Sequence, residues 1–322
     1  MSGLITVFWK ELADNFSSKR FIILFVLVLL AGVFAIYVAA GNIKEAVTII
    51  SKSPWVTTEI TRFVFLKLYT TSGEALPSFL IFIVFFVPIV GIALGFDAIN
   101  SEKNSGTLSR LLSQPIFRDA VINGKFLAGV VTLSIMLASI VLLVAGVGLK
   151  MIGVPPSSEE VLRLIAFVAV TIVYGAFWMG LAMLFSIFFQ RVATSALASI
   201  AVWIFFIFFM LMFAGLIANM VVPVDQYSNQ QELLRNAEVN RMITRISPIT
   251  LFQEVVIVLL VPAVRTLGFV TETVAARMLP NPLPLGQSLL IAWPHLVSLL
   301  ALTVVCFAVS YIRFMREEIR ST

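Results

Sequence analysis

Residues 21–40 read FIILFVLVLLAGVFAIYVAA, an apolar stretch without a single charged side chain. As an α-helix such a run extends about 30 Å, which matches the hydrocarbon thickness of a bilayer. The run is too long for a removed signal peptide and lacks its small-residue cleavage site. The stretch therefore predicts a membrane-spanning helix that stays in the mature protein.

Five further runs share this character, in a chain that is 60% hydrophobic and only 12% charged. They are residues 79–96, 126–149, 164–189, 196–222 and 288–312. Lipid offers backbone amides no partner, so such runs must be helices, and none alternates like a β-barrel strand. The predicted fold is all-α: one polytopic membrane domain, 1–322, with six transmembrane helices.

The distribution of Lys and Arg between the runs predicts their orientation. Short basic segments lie at 1–20, in the connection 97–125, at Arg191 and in the tail after 312. We expect these to be cytoplasmic, with both termini inside the cell membrane. The longer connections 41–78 and 223–287 are then extracellular.

Charge and cysteine content exclude other classes of protein. The net charge of +5 is mostly juxtamembrane, and the chain lacks the basic cluster of a nucleic-acid-binding protein. The single cysteine, Cys306, lies inside the last run, so no intrachain disulfide is possible.

The runs also lack the side chains of intramembrane chemistry. Secondary transporters and proton pumps keep ionisable residues at bilayer depth, where a charge costs about 3 kcal/mol, but these six cores contain no Asp, Glu, Lys or Arg. The only histidine, His295, is either a substrate or metal ligand or a polar residue that bonds to a neighbouring helix or lies near the headgroups. A lone imidazole cannot form a metal site without partners.

Motifs for catalysis and nucleotide binding are also missing. There is no His-Glu-x-x-His, no intramembrane Asp pair, no Gly-x-Ser-x-Gly and no P-loop. We therefore expect a chain that is not an enzyme and binds no cofactor directly. Energy for uphill transport would have to come from a partner.

The N-terminal segment predicts an amphipathic helix. Its apolar residues recur at spacings of three and four: Ile5, Phe8, Trp9, Leu12 and Phe16. We expect this helix to lie in the inner interface with Trp9 at headgroup depth, as an anchor or as a contact with a partner.

The connection 97–125 predicts a docking surface. Leu108, Leu111 and Leu112 form a one-sided ridge on a short helix that Pro115 ends. A second helix, through residues 116–122, leads by way of Gly124 and Lys125 into the third run. A solvated loop would not need such a ridge.

The residues of this connection resemble a known motif. The pattern Glu102-x-x-x-Gly106-Thr107-Leu108-x-x-Leu111-Leu112-x-x-Pro115-Ile116-x-Arg118, followed by Gly124-Lys125, is similar to the cytoplasmic motif of ABC-2 type permeases, the membrane subunits of many bacterial and archaeal ABC exporters. The N-terminal helix, Ser247-Pro248-x-x-Leu251-Phe252 and Phe314-x-Arg316-x-Glu318-Ile319-Arg320 also look like that family. The resemblance covers most of the chain.

The resemblance implies a homodimer, or a pair with a sister permease, in the lipid bilayer on two copies of a separate ATP-binding subunit. ATP and Mg would be held by that subunit. The connection would be the coupling helix that seats in a cleft of the ATPase, with Leu108, Leu111 and Leu112 filling the cleft. Glu102, Arg110 and Arg118 would make polar contacts beside it, or would be ordinary solvated charges.

The second run contains a possible hinge. Pro88 removes a backbone hydrogen bond above Gly91 and Gly95, so a bend is available beside a transport path, although proline is also tolerated in membrane helices. Gly91-x-x-x-Gly95 also permits close helix contact. Phenylalanines of the second and fifth runs would suit an amphiphile, or would face lipid: Phe82, Phe85, Phe86, Phe205, Phe206, Phe208 and Phe209.

The outer connections predict further helices. Residues 43–51 and 55–69 read as amphipathic helices outside the membrane, with Trp55 and Tyr69 as interface anchors. Residues 229–246 read as a polar helix. Residues 251–264 are too short an apolar segment for a normal span, which favours a re-entrant or surface helix over a seventh crossing.

Two functions remain open at this stage. The first is the permease subunit of an ATP-driven exporter. The second is a non-transporting membrane scaffold that uses an ATPase to transmit force or a signal. Span composition does not separate them.

Overall fold

The computed structural model describes residues 2–50, 63–72, 77–107, 116–225, 227–265, 267 and 282–316, and the side chains of these except residues 2 and 46–50. Every regular element in these residues is helical, which confirms the all-α prediction. The helices are α1 (Ser2–Ser17), α2 (Lys19–Ile50), α3 (Val64–Thr70), α4 (Phe79–Gly95), α5 (Asn100–Asn104), α6 (Arg118–Ile152), α7 (Ser158–Phe188), α8 (Val192–Ile204), α9 (Met210–Val221), α10 (Gln230–Thr244), α11 (Pro248–Leu260) and α12 (Leu285–Arg316). A π-helical turn, Phe205–Phe209, joins α8 to α9.

Six helices of the described residues are long and apolar enough to cross a membrane, as predicted. They are Lys19–Glu45, Phe79–Asn104, Arg118–Ile152, Ser158–Phe188, Val192–Val221 and Leu285–Arg316, and they are called spans one to six here. The second helix expected in the connection 97–125 and the third run form one continuous helix, α6. It ends where Gly153 adopts a left-handed conformation with φ 75°, which a glycine adopts without steric cost.

The two ends of the bundle are called the proximal and the distal end. The proximal end carries α1, α5, the start of α6 and the end of α12, where the Arg313 guanidinium lies 5.4 Å from the centre of the Phe188 ring. The distal end carries the start of α7 and the start of α12. A capping box begins α7 there, because Ser157 accepts from the Glu160 amide and Glu160 accepts from the Ser157 amide.

Helices α4 and α7 approach each other backbone to backbone. A Cβ on Gly91 would lie only 2.6 Å from the Gly175 carbonyl oxygen, and a Cβ on Gly95 would overlap the Met179 carbonyl oxygen. These two glycines therefore let the backbones of spans two and four touch. The contact joins the C-terminal part of α4 to α7.

Helices α10 and α11 form a hairpin bent by 110°. Helix α10 packs back along α9, and α11 then returns until the Leu259 carbonyl accepts a bond from Arg163 at the distal end. The start of α11 is deeper, since the Phe252 ring stacks on Tyr174, about three helical turns inward from Arg163. The hairpin enters and leaves at one end of the bundle, and it is called the re-entrant hairpin below.

Two details of the outer segments differ from the sequence prediction. Residues 43–50 continue α2 instead of forming a separate helix, and residues 51–62, which include Trp55, lie outside the described residues. Tyr69 is completely buried, with its ring edge-on to Phe79 at 5.3 Å, so its assignment as an interface anchor was wrong. It is buried because α3 inserts between spans, where the Glu160 carboxylate accepts a bond from the Phe65 amide.

Candidate functional site

A network of charged side chains joins three segments at the proximal end. The Lys125 ammonium of α6 donates to Glu11 of α1 at 2.8 Å and to Glu102 of α5 at 2.9 Å. Lys10 adds a bond to Glu11 at 2.9 Å and an ion pair with Glu102 at 3.5 Å. The Lys125 side chain is only 5% exposed, so water competes little for these bonds.

The register between α1 and α6 places Glu11 on Lys125. Residues four apart on α1 lie along α6 and the segment just before it: Gly3 beside Ile116, Val7 against Gly124, Glu11 on Lys125 and Asn15 on Thr132. A Cβ on Gly124 would come within 2.8 Å of Val7, so a small residue is needed for this approach. The opposite face of α1 leaves Ile5 and Trp9 exposed, as a helix with an apolar outer face requires.

The segment that follows span two is also bonded to span four. The Ser186 hydroxyl accepts from the amides of Ile99 and Asn100 at 3.0 and 3.1 Å. The Asn104 side chain donates to the Gln190 carbonyl at 2.9 Å. Residues 97–104 are therefore held from both sides, by α1 and α6 on one and by the end of α7 on the other.

The network shifts the titration of its members in opposite directions. Burial alone would raise the pKa of Glu11, but the charges and hydrogen bonds of Lys125 and Lys10 outweigh it and lower that pKa below its ordinary value. Burial alone would lower the pKa of Lys10, but its bond to Glu11 and the nearby carboxylates raise it. Both groups are therefore held in their charged forms.

Acid is expected to weaken this contact between α1 and α6. The folded pKa of Glu11 lies below the ordinary 4.5, so its contribution to stability is complete above pH 4.5 and is lost as pH falls through the folded value. Thermal unfolding of the purified protein between pH 3 and 7 should show a stability gap between wild type and Glu11→Gln that narrows below about pH 4.5. Glu238→Gln, on the exposed face of α10, is the control. A gap that stays constant across this range would contradict the assignment.

The structure places four of the nine residues predicted to couple the chain to an ATPase. Glu102 is bound within the chain by Lys125 and Lys10, Gly106 has a positive φ of 69°, and the Thr107 hydroxyl bonds back to the Glu102 carbonyl. Arg118 begins α6. The other five lie outside the described residues, so their role stays a prediction: Leu108, Arg110, Leu111, Leu112 and Pro115.

The sequence pattern does not identify Glu11 as a second carboxylate on Lys125 beside Glu102. Its helical position, four residues after Val7 and four before Asn15, is the signal that could have found it. The carboxylate lies on the face that packs against α6, not on the solvated face. The contact itself is between residues far apart in the chain, so spacing alone does not give it.

An apolar cleft of about 280 Å³ lies between spans two and five. Its walls are formed by Ile89, Ile92, Ala93, Phe96, Ala196, Ile200 and Trp203. The Trp203 indole is held edge-on against Phe85 at 4.8 Å. Span five is the least buried of the six, and of its predicted lining residues Phe208 is 62% exposed. Both the cleft and the exposed face of span five are lined by apolar side chains.

Inward from the distal end, His295 bonds to a neighbouring helix, as one of its two interpretations predicted. Its Nε2 lies 2.7 Å from a Glu254 oxygen on α11, and Arg245 donates to the same carboxylate at 2.9 Å. Among the described residues no group of three His, Cys, Asp or Glu side chains could hold a metal ion. The imidazole therefore connects span six to the re-entrant hairpin.

The proposed hinge residues have well-defined contacts. Gly91 and Gly95 form the close approach to α7, and Pro88 lies within the unbroken helix α4. Whether α4 bends during function stays a prediction.

No curated protein matched the chain. A family model, in contrast, matches residues 5–319, which is nearly the whole sequence. Its description is ABC-2 family transporter protein. The match agrees with the six spans and with the motif in the connection 97–125. The chain is therefore a multi-pass membrane protein that belongs to the ABC-2 transporter family.

Proposed function

We propose that this chain is the permease subunit of an ATP-driven exporter in the cell membrane. Its proximal end, with both termini, faces the cytoplasm and seats on two copies of a separate ATP-binding subunit. ATP and Mg are bound there, and this chain holds no cofactor and catalyses no reaction. A second copy of the chain, or a sister permease, completes the transporter.

The observation that carries this proposal is the way the connection 97–125 is mounted. A displacement of residues 108–115 by a partner would be transmitted to α4 and α6, because the connection 97–125 begins just after α4 and includes the start of α6. Lys125 and Ser186 bond the same segment to α1 and α7. Helices joined in this way transmit a displacement as a rigid group instead of absorbing it.

The apolar cleft supports a transport path beside spans two and five. The apolar face of span five is largely exposed and would be covered by lipid or by the second permease. Contact with the second permease would then depend on close packing, because lipid gives membrane helices no hydrophobic driving force to associate. An amphiphile fits such an apolar wall better than an ion does. We therefore favour an amphiphilic substrate.

Reconstitution with the cognate ATP-binding subunit tests the proposal. Leu111→Asp and Leu112→Asp place a charge on the ridge and are expected to reduce both ATP turnover and co-purification of the ATPase at least tenfold. Loss of a leucine contact in a docking cleft and burial of a carboxylate there each cost about 1 kcal/mol or more of binding free energy. A loss of about 1.4 kcal/mol lowers the affinity tenfold. Turnover per assembled complex is measured in lipid vesicles.

Ser113→Asp is the matched control, because helical spacing puts Ser113 opposite the leucine ridge in the same short segment. It adds the same charge and should leave turnover within about twofold of wild type. Equal effects of all three variants, or no effect of any, would count against docking through the ridge. Turnover that depends on the ridge while no amphiphile is moved would favour a force-transmitting scaffold.

A further inference from the structure

Span two contains a backbone carbonyl that its own helix cannot satisfy. In an α-helix the amide of residue 88 bonds to the carbonyl of residue 84, but Pro88 has no amide hydrogen. The Val84 carbonyl is therefore left without its usual donor in the middle of an apolar bundle. An unpaired carbonyl in such a place costs about 1–3 kcal/mol.

Another helix supplies the missing donor. The Tyr174 hydroxyl of α7 lies 3.1 Å from the Val84 oxygen and donates to it. Tyr174 is completely buried, and so is the face of α4 that carries Val84. This hydroxyl therefore donates to the carbonyl that the proline cannot serve.

The ring of Tyr174 makes a second contact, to the re-entrant hairpin. It stacks on Phe252 of α11 with ring centres 4.1 Å apart and planes inclined by only 6°. Two residues further along α11, Glu254 is bound to His295 of span six. One side chain thus touches both the proline site of span two and the inner part of the hairpin.

We propose that Tyr174 is a positioning residue: its hydroxyl holds the Val84 carbonyl that Pro88 leaves unpaired in span two, and its ring carries a movement of that carbonyl to the re-entrant hairpin. A bend of α4 at Pro88 moves the Val84 carbonyl and breaks or lengthens this bond. When the Tyr174 hydroxyl loses this bond and the side chain moves, its ring also loses the stacking contact with Phe252. Displacement of α4 from the proximal end would reach the distal mouth at this point, a step that rests on the proposed function.

A double-mutant cycle between Tyr174 and Pro88 tests the bond without any partner protein. Tyr174→Phe keeps the stacked ring but removes the donor, so it should lower the unfolding temperature of the purified chain in lipid nanodiscs by about 3 °C. In a Pro88→Ala background the backbone amide hydrogen is restored at this position and serves the Val84 carbonyl. There Tyr174→Phe should change the unfolding temperature by less than about 1 °C.

Thr171→Val is the matched control. Thr171 is one turn from Tyr174, equally buried, and bonds only within its own helix to the Phe167 carbonyl. Its effect should be the same whether residue 88 is Pro or Ala. If Tyr174→Phe also lowers the unfolding temperature equally in both backgrounds, the hydroxyl does not replace the proline amide and the inference fails. Should Pro88→Ala not fold, Pro88→Leu restores the same amide and completes the cycle.

The positioning role is tested separately, by ATP turnover of the assembled complex at equal amounts of folded protein. Tyr174→Phe is expected to change turnover at least threefold, whereas Thr171→Val, with a similar loss of a buried hydroxyl, should leave it within about 1.5-fold. Wild-type turnover in both variants would overturn the positioning role. If the wild-type chain itself assembles with no ATPase, the proposed function fails, while the thermal cycle still decides the bond.

Discussion

Replacing Lys125 with methionine is expected to destabilise the protein by about 3–5 kcal/mol, because it removes the buried cation between two largely buried carboxylates and leaves them with the half-exposed Lys10. Glu11 and Glu102 both accept from the same ammonium, so their oxygens also lie close to each other. Lys10 contacts both carboxylates but is half-exposed, so water weakens its ion pairs. The second Glu102 oxygen is buried and has no hydrogen-bond partner among the described residues, so Glu102 depends strongly on Lys125. Unfolding of the purified protein in nanodiscs measures the loss.

Two companion variants separate charge from packing. Lys125→Arg keeps a cation in place and should recover more than half of the stability, although a guanidinium does not fit this compact site as well as an ammonium does. Lys125→Met combined with Glu102→Gln removes one carboxylate and should be more stable than Lys125→Met alone. A double variant that is less stable than the single one would show that the network is not held by this charge pair.

The six spans were predictable because their signal is local. Lipid requires every backbone amide to be satisfied within its own helix, so a charge-free run of sufficient length is almost enough to identify a span. Residues 21–40 and 126–149 lie within α2 and α6, each of which extends beyond the predicted run at both ends. The extra turns carry charges, such as Arg118 and Lys125, and hydropathy cannot assign these to a helix.

The contacts that build the candidate site were not predictable, because they join distant residues. Glu11 meets Lys125 across 114 positions and Glu160 meets the Phe65 amide across 95. Nothing in the spacing of either partner names the other. The same holds for Tyr69, whose aromatic ring suits a membrane interface by composition but is covered by Phe79 once α3 inserts.

Helix α11 shows both the strength and the limit of pattern reasoning. Its apolar segment is short for an ordinary span, and the interpretation as a re-entrant or surface helix stays a prediction. Its burial, however, comes from neighbours on several sides: Phe252 on Tyr174, Glu254 on His295 and the Leu259 carbonyl on Arg163. A periodic pattern reports one buried face, and a helix inserted among other helices has more than one.

Loss of Arg163 should release this inserted helix. The guanidinium is completely buried, and each of its five N–H donors has an acceptor: Glu159 twice, the carbonyls of Leu259 and Leu283, and the Ser288 hydroxyl. Arg163 thereby ties α7 to the end of α11 and to the start of α12. Arg163→Met removes all five bonds and leaves two buried carbonyls without these donors, which should cost about 3–5 kcal/mol.

Lysine is not a sufficient replacement, since its three donors radiate from a single atom and cannot reach acceptors on both sides. Arg163→Lys should therefore recover less than half of the loss, in contrast to the exchange of cations at position 125. Arg235→Met, on the exposed face of α10, is the matched control and should change stability by no more than about 0.5 kcal/mol. Limited proteolysis from the distal side should cut Arg163→Met faster within 230–265 than it cuts wild type. An unchanged cleavage rate together with a lowered unfolding temperature would mean that Arg163 stabilises α7 and α12 without holding the hairpin in place.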